Sequence, residues 1–395
     1  MNDNTLYGLP VKVQFCKKCV MSNQRPSSAV EFKNNINIKK TTIFFDEKGV
    51  CDACNYAFRK KNEVDWEKRE YELKSLLDKY KSRNGSYDVL VPGSGGKDSV
   101  YASHLLKYKY GMNPLTVTWS PHLYTDIGWQ NFQNWLHVGG FDNYLFTPNG
   151  QVHRKLTQLA FKNLLHPFQP FILGQKNFAP KIASQFNIPL VIYGENEAEY
   201  GNPINENSSS TRDKSYYALD TEEFNEIYLG GEHISNFESH NIKKNDLEPY
   251  LPLSNEQKHV SDINVQYLGY YLKWIPQECY YYAVENVEFE ANPERTEGTY
   301  SKYNSIDDKT DGFHYWTTFI KFGIGRATYD ASQEIRNDHL TREEGVALVK
   351  KYDGEFPIKY FDEFLKYLSL EKDQFFEIAD SFRPTHLWKK KQSNW

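Results

Sequence analysis

The sequence predicts an α/β fold: a doubly wound parallel sheet, preceded by a small cysteine-bound module and followed by a mainly helical region. Three observations carry this expectation. Short apolar runs alternate with helix-patterned stretches between Tyr87 and Tyr193; a glycine turn, Gly93-Ser94-Gly95-Gly96, stands between the first such run and a helix; and two Cys-x-x-Cys pairs lie ahead of both.

In chain order, residues 1–62 read as a zinc-ribbon module. Cys16-Lys17-Lys18-Cys19 and Cys51-Asp52-Ala53-Cys54 hold four of the five cysteines. Two such knuckles bring four thiolates round one ion, and a reducing compartment disfavours disulfides, so Zn²⁺ on Cys16, Cys19, Cys51 and Cys54 is expected. An iron–sulfur cluster or unliganded thiols are the alternatives. Residues Thr41 to Val50 read as the ribbon's strand and turn, and Lys17 and Lys18 as cations that lessen the thiolate charge. The fifth cysteine, Cys279, reads as a packing residue.

Residues 63–201 read as the wound domain. Trp66, Tyr71, Leu73, Leu76, Leu77 and Tyr80 share one face of a helix over 64–83. Strand 87–92, the glycine turn and a helix over 97–109 follow. Then come a strand at 114–119, a helix at 129–138, a strand at 143–146 and a helix at 152–165. Phe171-Ile172-Leu173 and the stretch 181–186 precede a closing strand at 189–193. Residues 202–395 read as a mainly helical region that binds substrate or partner. It opens on a polar loop over 202–213 and includes a capping box, Thr341-Arg342-Glu343-Glu344, and helices near 362–368 and 373–382.

Composition excludes several classes. With 395 residues, 39% hydrophobic and 25% charged side chains, the chain has material for about two domains and is neither disordered nor fibrous. No apolar run approaches the ~20 residues of a membrane span, and no secretory signal is evident, so a cytoplasmic chain is expected. A net charge of −5 argues against nucleic acid as partner. The 16% aromatic content reads as packing and partner contact.

The chemistry sits in Pro92-Gly93-Ser94-Gly95-Gly96-Lys97-Asp98-Ser99, a strand-to-helix loop whose free amides and helix dipole favour an anion. It is not a Walker loop, which needs Ser or Thr directly after the lysine, nor a dinucleotide fingerprint, which needs glycine where Asp98 stands. Ser94-Gly95-Gly96-Lys97-Asp98-Ser99 resembles the SGGxDS signature of the PP-loop ATP pyrophosphatases, of the adenine nucleotide alpha hydrolase-like fold. That resemblance implies ATP bound by Gly93 through Ser99, with Lys97, Asp98 and Ser99 catalytic, Mg²⁺ held by Asp98, and cleavage between the α- and β-phosphates. It also places Val117-Thr118-Trp119, and so Thr118 and Trp119, against adenine through the main chain. Gly194-Glu195-Asn196-Glu197 resembles in part the acidic loop of thiolating relatives, which makes Glu195 a second Mg²⁺ candidate; a solvated acidic loop is the alternative.

Four further stretches narrow the resemblance: Tyr124 to Phe132, Phe146 to Gly150, Phe171 to Asn177, and Lys321-Phe322-Gly323-Ile324-Gly325-Arg326. With the knuckles they resemble, over nearly the whole chain, the N-acetyl sugar amidotransferases of bacterial surface-polysaccharide and flagellin-sugar biosynthesis. In that family ATP activates the acetamido group of a nucleotide-activated sugar, and ammonia converts it to an acetamidino group, releasing AMP and pyrophosphate. The implied partners are a class I glutaminase subunit and, less directly, a barrel subunit similar to imidazole glycerol phosphate synthase. The sequence agrees that ammonia arrives from outside, since no glutaminase nucleophile elbow or amino-terminal cysteine is found. Lys176 and Arg326 are the substrate-binding candidates, with a surface salt bridge as the alternative for Arg326. His122, His153 and His166 read as structural. The runner-up function is a tRNA thiolase, which would need a basic surface and a cysteine near the nucleotide; a non-catalytic nucleotide-binding scaffold is the third reading.

Overall fold

Five parallel strands form the central sheet in the order β3-β2-β1-β4-β5: β1 Val89–Pro92, β2 Pro114–Trp119, β3 Asp142–Phe146, β4 Leu190–Tyr193 and β5 Asn264–Tyr267. The computed structural model describes residues 5–202, 209–257 and 259–390. β1 and β4, at the centre of the sheet, are apolar on both faces because both are covered. Val89, Val91, Leu190 and Ile192 pack towards α2 (Trp66–Tyr80) and α3 (Lys97–His104). Leu90, Leu115, Val117 and Val191 pack towards the opposite layer, α5 (Gly150–Leu164) and α6 (Gln169–Phe186). The chain leaves β1 towards β2 and β3, then returns to its other side as β4. The order therefore reverses between β1 and β4, where the crevice of a doubly wound sheet opens at the carboxyl ends of the strands.

Local chemistry sets the helix ends. Asp65 accepts the Lys68 N–H to cap α2, Thr125 caps α4 (Asp126–His137), and the expected box at Thr341 and Glu344 opens α10 (Arg342–Tyr352). α1 is Asp52–Asn62 and α7, packed on α3, is Pro276–Val287; the carboxyl-terminal helices are α8 (Asp311–Phe322), α9 (Arg326–Arg336), α11 (Phe361–Leu368) and α12 (Lys372–Ser381). The aromatic surplus largely fills their core: Phe313 stacks on Phe364 at 4.2 Å and Phe161 on Phe375 at 4.7 Å between ring centroids.

Three sequence expectations are corrected. The sheet does not close at Gly201: β5 pairs with β4 from Leu190↔Asn264 to Tyr193↔Tyr267. A lone four-residue strand amid polar loops carries too little periodicity to be read. Phe171-Ile172-Leu173 and 181–186 are not separate elements but parts of α6, which carries Pro180 in its interior. Residues 41–50 form no regular strand; two isolated bridges, Pro26↔Thr42 and Phe45↔Cys51, do that work. Of the expected loop at 202–213, residues 203–208 lie outside the described residues, while Thr211 bridges Gln266 beside β5. Among the described residues no helix is long and apolar enough to cross a membrane.

Phe375 is fully buried at the centre of the aromatic core. Phe375→Ala is expected to lower stability by about 3–5 kcal/mol, read from the urea midpoint; a change below about 1 kcal/mol would contradict the core assignment.

Candidate active site and metal centre

The crevice holds a cleft of about 670 Å³ that meets the loop after β1, the loop after β4, the amino-terminal module and α9. The loop after β1 turns at Gly95, whose φ is +84° and where a Cβ would lie 2.7 Å from the Phe132 Cα; only glycine fits. The first amides of α3 then face the cleft without intrahelical partners.

Charge is concentrated here. Asp98 Oδ2 lies 2.8 Å from Lys97 Nζ, while Asp98 Oδ1 accepts the Trp274 indole N–H at 2.8 Å. Gly194, directly after β4, lies so close to α3 that a Cβ would stand 2.8 Å from the Asp98 carbonyl oxygen. Glu195 therefore comes within hydrogen-bonding reach of Asp98, and its carboxylate also accepts the Tyr200 hydroxyl. Burial, and then Asp98, push the Glu195 carboxyl up to about 7. Burial pushes the Lys97 ammonium down, but Asp98 and Glu195 together outweigh it and hold it above the usual lysine range. Two half-buried carboxylates beside one ammonium offer oxygen ligands to a divalent cation, so Asp98 and Glu195 fit as Mg²⁺ ligands. Asp307, raised by burial, accepts the Ser94 hydroxyl from above the loop, and the Tyr303 ring lies 5.9 Å from Lys97 Nζ.

Of the residues expected from sequence, Gly93 through Ser99, Trp119, Lys176, Glu195 and Arg326 line this one cleft. Arg326 is no surface pair: it donates to the Tyr315 hydroxyl and meets buried Asp330 at 3.0 Å from Nε. Lys176 Nζ reaches the Ala29 carbonyl at 3.4 Å, and burial holds its ammonium below the usual range. Thr118 is turned away, its hydroxyl taken by Asn143 at 3.0 Å, because alternate residues of a strand face opposite sides of the sheet. Glu197 is engaged by Tyr267, at 3.2 Å, and by Arg212, at 3.8 Å. His122 and His153 are buried against each other away from the cleft lining. Cys279 is buried, with its thiol well above the usual range from burial, and no cysteine lines the cleft among the described residues. Asp307, Trp274, Tyr200 and Arg25 were not legible as site residues: they are single residues, remote in sequence, without motif or spacing.

The four knuckle cysteines converge. Their Sγ atoms lie within 4.8 Å of one another, with Cys16–Cys54 at 3.8 Å and Cys19–Cys51 at 3.7 Å. A tetrahedron with Zn–S bonds of about 2.3 Å has edges of about 3.8 Å, so the cage fits one ion; a four-iron cluster puts each thiolate on a different iron and spreads them further. Amides of Lys18 and Cys51 point at Cys16 Sγ at 3.3 Å each. Lys17 and Lys18 are exposed; the buried cation facing the thiolates is Arg336 of α9, and Arg342 of α10 holds the Cys16 and Cys19 carbonyls. The cysteine cage and the carboxyl-terminal helices are thus one packed unit.

Comparison with known proteins follows this geometry. Residues 297–395 match the family model for the LPS biosynthesis protein WbpG-like C-terminal domain. A curated relative, the uncharacterized protein MJ1599 of Methanocaldococcus jannaschii, is 37% identical over 78 residues; that is 20% of this chain, which spans 27% of the relative's length. Solved structures with some likeness include NMN synthetase from Francisella tularensis (17% identity, 34% of this chain and 56% of that one, TM-score 0.26). NH₃-dependent NAD synthetase from Campylobacter jejuni gives 15%, 35%, 59% and 0.28 for the same quantities. The U34-tRNA thiolase NcsA of Methanococcus maripaludis, solved with its [4Fe-4S] cluster, gives 13%, 91%, 90% and 0.28. The strand order and loop described above define the class of fold: a doubly wound parallel α/β sheet with a glycine loop after β1, an amino-terminal four-cysteine module and a helical carboxyl-terminal region. The carboxyl-terminal part is similar to the WbpG-like domain, which supports the resemblance to the proteins of surface-polysaccharide synthesis.

Two outcomes follow. Elemental analysis should give about one zinc per chain, and Cys16→Ser should lose it together with cooperative melting; a metal-free, stable wild-type chain would contradict the cage. Asp311 is held up to about 7 by burial, above its unfolded value, so folding is favoured at low pH and that contribution is lost as pH rises towards 7. Asp311→Asn should therefore gain stability over wild type at pH 8 relative to pH 4, and a pH-independent difference in melting would refute it.

Proposed function

We propose that the chain is an ATP-dependent, AMP-forming amidotransferase, a C–N ligase that converts the acetamido group of a nucleotide-activated sugar to an acetamidino group. The observation that carries the reading is the shared cleft: the WbpG-like domain puts Arg326 and Asp307 into the same space as Lys97, Asp98 and Glu195.

The reaction needs ATP because an amide carbon is a poor electrophile and its oxygen a poor leaving group. The amide oxygen attacks the α-phosphorus and pyrophosphate departs. Ammonia then adds to the activated carbon, the C–O bond breaks, AMP leaves and a proton is lost. Lys97 and the amides of the glycine loop lie where negative charge collects on the departing pyrophosphate, and they require no reorganisation to meet it. Mg²⁺, held by Asp98 and Glu195, supplies further charge neutralisation when bound. Trp119, Val117 and Phe178 form an apolar wall for adenine beside the loop. Lys176 and Arg326 stand on the lining to meet the anionic acceptor. Ammonia comes from a separate class I glutaminase subunit, with a barrel subunit as the further partner, and the setting is surface-polysaccharide (O-antigen) synthesis in the cytoplasm. Zn²⁺ on the four cysteines is structural. A thiolase reading finds no support in the cleft, which offers no cysteine among the described residues.

Purified chain with ATP, Mg²⁺, ammonium and a panel of nucleotide-linked acetamido sugars should yield AMP and a product in which one oxygen is replaced by NH. AMP formation with tRNA and a sulfur donor, but with no sugar, would refute the proposal. Asp98→Ala should abolish AMP formation with melting unchanged, and Lys97→Ala should lower kcat/KM by about 10²–10³-fold.

A further inference from the structure

Three arginines line the cleft: Arg25, Arg212 and Arg326. Arg326 has Asp330 at 3.0 Å and Arg212 has Glu197 at 3.8 Å. Arg25, contributed by the amino-terminal module, has no carboxylate at salt-bridge distance among the described residues. It is only 5% exposed, its Nη1 reaches the Asn202 amide oxygen at 3.4 Å, and its guanidinium stands 5.9 Å from the Tyr329 ring centroid. Its Nε donates to nothing. Burial is the largest influence on this cation and disfavours its charge; Arg336 acts in the same direction, while Tyr329 and Cys51 oppose it without outweighing it. A buried guanidinium without a counter-ion is costly unless a ligand supplies one.

The opposing wall is α9. Arg326, Tyr329, Asp330 and Gln333 fall at i, i+3, i+4 and i+7, so one helical face looks into the cleft. Gln333 Nε2 is a second buried donor without an acceptor. Arg25 and Gln333 thus bring unsatisfied donors from different regions to the same cleft, Arg25 beside Asn202. An oxyanion is the ligand that satisfies an arginine fork and an amide together.

We infer that Arg25 and the Tyr329–Gln333 face of α9 form an anion subsite that receives the phosphate bridge of the nucleotide-linked acceptor while ATP occupies the glycine loop. This rests on the amidotransferase reading, in which the acceptor carries a phosphate linkage that the glycine loop, filled by ATP, cannot take. The amino-terminal module then has a second task beside holding its metal: it supplies the acceptor's counter-charge.

The test uses the full, zinc-loaded chain saturated with α,β-methylene-ATP and titrated calorimetrically with UDP. UDP should bind this complex, and Arg25→Gln should weaken it about tenfold or more while leaving the affinity for α,β-methylene-ATP and the zinc content unchanged. Equal UDP affinity in wild type and Arg25→Gln would overturn the subsite, as would failure of UDP to bind the nucleotide complex. Loss of zinc from Arg25→Gln would overturn it too, by making Arg25 a counter-ion of the thiolates. If Arg25→Gln does not fold, Arg25→Lys carries the test: it keeps the charge without the planar fork, so UDP should weaken with zinc and melting intact, and unchanged affinity would overturn the inference. UDP binding requires no turnover, so a chain that binds UDP through Arg25 yet forms no acetamidino product refutes the proposed reaction and leaves the subsite standing.

Discussion

Two carboxylates, Asp98 and Glu195, stand together half-buried beside one ammonium, Lys97, and the rest of the site is arranged round that imbalance. Like charges brought together out of water repel strongly, so each needs a partner. Trp274 and Lys97 take the two oxygens of Asp98, and the Tyr200 hydroxyl donates to Glu195. These partners come from α3, from the loop after β4, and from the segment ahead of α7. Such a distribution ties the glycine loop to elements far away in sequence and leaves carboxylate oxygens that a divalent cation could take.

Close backbone packing makes that arrangement possible. Gly95 on the Phe132 backbone and Gly194 on the Asp98 carbonyl set the loop after β1 against α4 and the loop after β4 against α3. At the other end of the cleft, α9 spans from Arg326, inside the lining, to Arg336, which faces the thiolate cage. The metal module and the carboxyl-terminal domain are therefore not appendages to the sheet but two walls of one cleft.

Local patterns were legible and remote convergence was not. The strand–loop–helix at Val89 to Ser99 announces itself because glycine, lysine and serine occur at contiguous positions whose backbone task is fixed, and the two Cys-x-x-Cys pairs do so for a similar reason. Helices with caps, such as α10 with Thr341 and Glu344, were readable to within a residue or two. β5 was missed because four residues between polar loops carry no period, and Arg25, Asp307 and Trp274 because a lone residue acquires its role only when folding brings it to the cleft. Thr118 is expected to meet adenine through its main chain, and the alternation of the pleat leaves its side chain on the other face, with Asn143.

The central claim is that the amide oxygen of the acceptor becomes bonded to the α-phosphorus in this cleft. Isotope transfer tests it most directly: an acceptor labelled with ¹⁸O in its acetamido carbonyl is turned over with ATP, Mg²⁺ and ammonium, and the phosphorus products are analysed by mass spectrometry. The label should appear in the phosphate of AMP. Label found in orthophosphate, or AMP released without it, would contradict the account.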